Sequence, residues 1–470
     1  MRDGAVRGRL WRDTRVRVGG GVVVAAVLAG SWWELLFLPL GASHDGRING
    51  RFGLHVRNLL EHGLVNSDFL ASMAPFSNDP YTHHPPLLNV LHAVLGSLLG
   101  QGEWQLHAIG YLAGLGTVAG LLWLARELDL GPWSSVLVMA LVASTPMFWI
   151  YGRLGLGVSV LLVLLALWHR HHRLGRGYRV LLIASGLAAL SSWLGAGVAV
   201  LVSGLGMREA GRRKAALAVG GVGVSTVLAV LVWAAVAGDA TELARHTMSR
   251  LRWPSPADLL ENYLWFYRTL FPRWFRLLIL PAIAVALIDR RTRMAAGTTA
   301  AALTVWTLIA PGGALIHDFW TYPLLLPVFL GLAVMADHVE RRLESSRIAL
   351  GVAATLVLLA AVGLGRLPPY RDAYFQAPSD AGALLRESAP ARGQAVAWVA
   401  EGVDPVPRWV SYYWDLPAIE LSPVDVEAVG DADLVLVRVD QAPPWIGTPV
   451  AVFEKGRYAL VTGSALRASG

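Results

Sequence analysis

Ten long apolar runs, at 18–40, 107–125, 131–150, 155–168, 180–206, 215–238, 274–288, 295–310, 319–336 and 347–365, constrain this chain more than any other feature. Most approach the ~20 residues that cross ~30 Å of hydrocarbon as helix. In lipid a backbone has no water to bond, so segments of this length must be helical. Charged residues make up only 16% of the 470 positions and hydrophobic residues 55%, whereas soluble domains carry about 25% charge. That balance argues against a single soluble globule, a disordered chain and a nucleic-acid binder. The 49 glycines suit close helix packing in a bilayer. There is no cysteine, hence no disulfide framework and no thiolate ligand or nucleophile.

The formal charge of +7 is unevenly distributed. From Arg366 onward there are 9 basic and 13 acidic residues, leaving 31 basic and 20 acidic groups before it. A basic apolar body with a mildly acidic tail reads as a membrane domain over 1–366 and a soluble domain over 367–470. The first run follows Arg2, Arg7, Arg9, Arg12, Arg15 and Arg17. It exceeds the ~7–15 residue core of a signal peptide and is expected to be an uncleaved span. Basic loops stay cytoplasmic. Five basic clusters (the N-terminus, His169–Arg179, Arg208–Lys214, Arg290–Arg293, Arg341–Arg347) share one side under two conditions. Pro85–Gly100 must lie along the outer surface, and 180–206 must enter and return at its Ser191–Gly195 break. About eleven spans result, with the N-terminus cytoplasmic and the C-terminal domain outside, on a multi-pass protein of a cell (inner) membrane.

The first external loop, 41–106, holds His44, His55, His62, His83, His84 and His92, six of the 13 histidines. Asp45–His62 reads as an amphipathic helix: Ile48, Phe52, Val56 and Leu59 form one stripe, Arg47, Arg51, His55, Asn58 and His62 another, and Gly63 a stop. Asp45 admits two readings, an N-cap carboxylate or a general base at the outer surface. The string Asn78–Leu87 places two histidines before two prolines. It reads equally as a polar turn opening an interfacial helix or as part of a metal site.

In order along the chain, Asp45, Asn58–Gly63, Tyr81–Leu88 (YTHHPPLL), Leu99–Trp104, Thr145-Pro146, Tyr151–Arg153 and His317–Pro327 (HDFWTYPLLLP) resemble a known superfamily. They are similar to the C-type, polyprenyl-phosphate-dependent membrane glycosyltransferases, in the protein O-mannosyltransferase and aminoarabinose transferase-like branch. The likeness covers about 18–337. It implies an all-α polytopic fold with interfacial helices after the first span. It also implies a sugar donor on polyprenyl phosphate, a bilayer, and an acceptor that is protein, lipid or polysaccharide. By resemblance Asp45 matches the catalytic acid, and His317 and Tyr322 fall where relatives contact donor phosphate. His84 and Arg153 are further phosphate candidates, with His44, Arg47, His83, Arg245 and Arg250 accessory. One departure stands out: the second external loop, Trp149–Gly157, lacks the acid many relatives carry. That leaves a carboxylate-bound divalent metal open and keeps an inactive scaffold among the readings.

The chemistry needs cationic partners for a phosphate leaving group and a positioned carboxylate for the acceptor. Arg245, Arg250, Arg252, Arg268, Arg273 and Arg276 in the third external loop region run against the positive-inside trend. They read as an anionic pocket or, for Arg273 and Arg276, as side chains reaching headgroups. Glu34 is an acid within an apolar run and a functional suspect on that ground. His169, His171 and His172 read as a cytoplasmic anchor. In the C-terminal domain, Gln394–Ala400, Asp433–Val439, Pro449–Glu454 and Arg457–Thr462 read as strands, the last two flanking a Lys455-Gly456 turn, with a helix over Asp380–Glu387. Trp409, Tyr412, Tyr413 and Trp414 read as packing. The rival function is a transporter or lipid flippase, for which the broken 180–206 run is the supporting feature.

Overall fold

In the computed structural model, residues 2–154, 156–208, 210–238, 240–342, 367–404, 406–446 and 451–469 are described. The run at 347–365, residues 343–347 of the last basic cluster and the start of the strand expected at Pro449 lie outside them. Sixteen helices precede that gap: α1 (Arg2–Trp32), α2 (His44–Asn66), α3 (Leu87–Leu99), α4 (Glu103–Glu127), α5 (Pro132–Ala143), α6 (Pro146–Tyr151), α7 (Leu156–Leu174), α8 (Tyr178–Ser191), α9 (Trp193–Gly206), α10 (Arg213–Ala237), α11 (Ala240–Leu251), α12 (Pro256–Leu270), α13 (Arg273–Ile288), α14 (Arg293–Ile309), α15 (Pro311–Ile316) and α16 (Leu325–Arg342). Among the described residues four helical stretches are long and apolar enough to cross a membrane, or five if the pair α12–α13, bent by 117°, is one span. α3, α5, α8 and α9 are shorter apolar helices.

Local chemistry explains the boundaries. The first apolar run does not stay helical to residue 40: α1 ends at Trp32 and Leu38 is extended, as the following Pro39 requires. The 180–206 run breaks at Ser192, whose extended backbone separates α8 from α9 while its hydroxyl accepts from the Gly195 N–H at 2.9 Å. The two halves pack on one another and on α10. α3 has 13 residues, about 20 Å at 1.5 Å per residue, short of a bilayer core. Arg276 does not reach outward as its flank position suggested; its Nε donates to the Phe271 carbonyl at 2.7 Å, satisfying the open end of α12. Glu34, expected as an intramembrane acid, is exposed and ion-paired with Arg371.

The helical body is closed by a large apolar core in which Trp32, Trp149, Trp168, Phe148, Phe275 and Phe329 are buried. Gly331 lets α16 approach α13: a Cβ there would lie 1.7 Å from the Ala282 carbonyl oxygen. A second core belongs to a five-stranded mixed sheet, β1 (Ala397–Ala400), β2 (Ala418–Leu421), β3 (Leu434–Arg438), β4 (Ala451–Lys455) and β5 (Tyr458–Thr462), in the order β2-β1-β3-β5-β4. β1 runs parallel to β2 and β3, and β5 antiparallel to β3 and β4. β2, AIEL, is not among the expected strands; it has four residues, buried at both ends and exposed at the two between, so the period-2 alternation that marks a strand is absent. The helix Ala377–Glu387 packs on the β4–β5 hairpin.

The two cores meet at the segment 41–106. The short helix Arg408–Trp414 lies on α2, with the Trp409 main chain 2.7 Å from where a Cβ on Gly50 would be. Leu40 N donates to the Tyr413 hydroxyl at 2.8 Å, and Arg57 pairs with Asp415 at 2.7 Å. The expected amphipathic helix is therefore corrected in one respect. Gly63 breaks α2 as expected, at φ 77°, but the polar stripe does not face solvent. Arg51, His55 and Asn58 are as buried as Phe52 and Val56, because Tyr81 lies against Arg51 and the Ser72–Ala74 turn covers His55 and Asn58.

Candidate active site

Asp45 lies in the first turn of α2, but it is not the cap. Ser43 is, its Oγ accepting from Gly46 N at 2.9 Å. The Asp45 side chain points inward instead. Its Oδ1 accepts from Asn49 Nδ2, one turn on, at 3.2 Å. Its Oδ2 lies 3.1 Å from His107 Nδ1 and 3.8 Å from Arg153 Nη2. All three partners are themselves buried. Burial alone would raise this carboxyl, but Arg153 and then His107 overcome it and hold it down at about 2.

Each partner is fixed from elsewhere. His107, in the second turn of α4, has Nε2 3.0 Å from the Leu38 carbonyl. A carbonyl only accepts, so Nε2 carries a proton; Nδ1, 3.1 Å from both Asp45 Oδ2 and Asn49 Nδ2, accepts from the amide when bare and donates to the carboxylate when protonated. Arg153 follows the turn after α6. Its carbonyl oxygen sits 2.1 Å from where a Cβ on Gly110 would be, so α4 can press against it only with glycine there. Its guanidinium carbon stands 4.4 Å over the Phe375 ring. Its Nε and Nη2 make no hydrogen bond among the described residues. Asp45, Asn49, Phe52, His107, Arg153 and Leu154 line part of a cleft enclosing about 390 Å³, its open mouth included. The cleft pairs a carboxylate and a guanidinium with an apolar wall.

Beside the cleft lies a second, strongly basic cluster. Arg51 and Arg408 flank one ring, their guanidinium carbons 4.2 and 5.0 Å from the centre of Tyr81, and Arg250 also interacts with Tyr81. Arg47 reaches Asp404 at 3.7 Å and His44 Nδ1 at 3.4 Å. Asp404 also accepts from Trp409 Nε1 at 2.7 Å and Val406 N at 2.9 Å. Burial pushes its carboxyl up to about 6 against the pull of Arg47 and these donors. Burial, with Arg47 next in weight, lowers His44 to about 4. His55 is pushed down to about 3 by burial and Arg51, and its Nδ1 lies 2.9 Å from the Ser72 carbonyl.

Several sequence-derived candidates converge here. His44 and His317 face one another through Phe319, their ring centres 6.4 Å apart and each within 4.9 Å of the Phe319 ring centre. His83 and His84 surround Tyr81 at 4.6 and 5.8 Å. Two candidates lie apart. Tyr322 is buried in the helical core against Phe148 and does not line the cleft, and Arg245 is exposed on α11. The sequence reading missed His107, Asn49, Asp404 and Arg408. Asn49 alone carried a local signal, four residues after Asp45 on the same helix face.

The donor set does not fit a divalent metal. Both Asp45 oxygens face nitrogen donors, one of them a guanidinium. Among the described residues no group of three or more His, Asp or Glu side chains could hold an ion.

The architecture defines a class: a polytopic helical membrane protein of the C-type glycosyltransferase fold, with a small mixed-sheet domain after its spans. No family model and no curated protein matches the sequence. Among solved structures, the chain is similar to ArnT from Cupriavidus metallidurans bound to undecaprenyl phosphate, at 16% identity and a TM-score of 0.58, over 95% of this chain and 98% of that one. The apo state of the same protein matches at 0.58 over 96% and 99%. The apo oligosaccharyltransferase of Archaeoglobus fulgidus matches at 16% identity and a TM-score of 0.50, over 88% of this chain and 65% of that one.

Proposed function

We propose that this chain is a glycosyltransferase that moves a sugar from a polyprenyl-phosphate donor to an acceptor hydroxyl at the external face of the membrane, with Asp45 as the general base. The observation that carries the reading is the carboxylate itself: buried, ionised and aimed with Arg153 into one cleft. The fold shared with a protein crystallised with undecaprenyl phosphate supports the donor class.

In this reading the acceptor oxygen attacks the anomeric carbon as the bond from that carbon to the phosphate oxygen breaks. Asp45 takes the hydroxyl proton. A carboxylate held near 2 is a weak base, so it accepts the proton late, once the attacking oxygen has become acidic. The departing phosphate takes up the open Nε–Nη2 edge of Arg153, a planar pair of donors suited to such an anion. Phosphate on Arg153 also weakens the guanidinium's hold on Asp45, so donor binding makes the base stronger when it is needed. The basic cluster of Arg47, Arg51, Arg250 and Arg408, with His44, His84 and His317 nearby, supplies further positive potential at the mouth.

The test is transfer from radiolabelled polyprenyl-phosphate sugar by the purified protein. Asp45→Asn and Asp45→Ala should lower turnover by about 10²–10⁴ at unchanged expression. Full turnover in either variant removes Asp45 from the reaction.

A further inference from the structure

We infer that the positive charge on which Asp45 depends is built into the chain, supplied by Arg153, and that the site takes no divalent cation. The inference rests on the reading of Asp45 as the acting carboxylate, and it follows from how that carboxylate is surrounded.

A carboxylate that shares a metal needs a free oxygen, a second anionic or neutral ligand, and no competing cation. Asp45 has neither a free oxygen nor a surrounding without a competing cation, and the side chains beside it that could act as neutral ligands, His107 and Asn49, are already engaged. Oδ1 is held by Asn49 at 3.2 Å, and Oδ2 by His107 at 3.1 Å and Arg153 at 3.8 Å. The loop following α6 holds Arg153, of opposite sign to a carboxylate, and no acid. A divalent ion bonded to Oδ2 would stand within a few ångströms of that guanidinium, where repulsion in a buried site is strong.

The guanidinium cannot readily withdraw. Its backbone is pressed against Gly110 of α4, and its side chain is stacked on Phe375 and only 3% exposed. His107 cannot substitute as a ligand without losing contacts either. Nε2 is committed to the Leu38 carbonyl, and Nδ1 already faces Asp45 and Asn49. A guanidinium does here part of what a metal does elsewhere, fixing the carboxylate and offering charge to a leaving phosphate, without a vacant coordination site.

The deciding experiment is calorimetric titration of Mn²⁺ and Zn²⁺ into the chelator-treated full chain without an affinity tag, for wild type, Asp45→Asn and Asp45→Ser, each checked for an unchanged elution profile. The same preparations are assayed for transfer in excess EDTA. Metal binding should be the same in all three proteins within about twofold, and wild-type transfer should be unaltered by EDTA within about twofold. Tenfold tighter binding of either ion to wild type than to both variants overturns the inference, as does transfer abolished by EDTA and restored by Mn²⁺. The titration reads the site whether or not transfer is found, so loss of the catalytic reading and loss of this one are separate results.

Discussion

At the scale of single residues, the site is a contest between burial and charge. Asp45 is buried yet ionised because the Arg153 guanidinium and His107 outweigh burial; at Asp404 burial outweighs Arg47 and the Val406 and Trp409 donors, and the carboxyl is pushed up to about 6. The signs have opposite consequences for stability. Asp404 binds its proton more tightly in the folded chain than in the unfolded one. Its favourable contribution is therefore complete below the ordinary value near 3.8 and is lost as pH rises through about 6. Asp404→Asn lacks this titration. The melting temperature of wild type relative to Asp404→Asn should fall between pH 4 and pH 7, measured in detergent; parallel profiles would contradict the assignment. Asp45 runs the other way, its contribution present above 3.8 and lost only as pH falls toward 2. Legibility also divides at this scale. Asp45 and Arg153 were visible because each sits in a short recognisable string. His107 was not, because it opens an apolar run and its partner Asn49 is 58 positions away. Arg408 and Asp404 belong to a region whose aromatic-rich sequence reads as ordinary packing.

At the scale of elements, α2 explains why pattern reading succeeds and then stops. Its 3.6-residue period and its stop at Gly63 are properties of the helix alone, and both were legible. Which face is covered is a property of what arrives later. Arg51, His55 and Asn58 belong to the polar stripe of the pattern, yet Tyr81 and the turn at Ser72–Ala74 cover them. Gly50 is the contact point, with no room for a side chain against Trp409. Gly50→Val should destabilise the protein by about 1–3 kcal/mol through overpacking and lower transfer as α2 shifts. Thermal unfolding of the purified variant checks this, and an unchanged melting temperature would show that the two helices do not meet so closely. The Ser192 break was legible for a different reason. Consecutive serines beside tryptophan and glycine interrupt an apolar run, and the interruption is where Ser192 caps α9.

At the scale of the whole molecule, the arrangement of basic clusters supports a proposed order of the chain across a membrane. His84 and the Tyr81 cluster belong to the proposed external side, and the His169–Arg179 cluster, at the end of α7, to the cytoplasmic side. The natural absence of cysteine makes this direct to test. His84→Cys, at an exposed position, should react with a membrane-impermeant maleimide in intact cells. Arg176→Cys, also exposed, should react only after permeabilisation. The reverse pattern would place the proposed base on the wrong side for an external acceptor. The fold class was legible because hydrophobic length is a direct consequence of bilayer thickness. The mixed sheet was legible strand by strand except for β2. Its docking onto the first loop was not, since nothing in either segment announces the other.

That docking has a consequence for biogenesis. Leu40 meets Tyr413 across 373 positions of chain. At about 5–20 residues per second of synthesis, roughly 20–75 s pass between the appearance of the segment that leads into α2 and that of its cover. Until then Arg51 and Arg408 do not face each other and α2 stands without its cover.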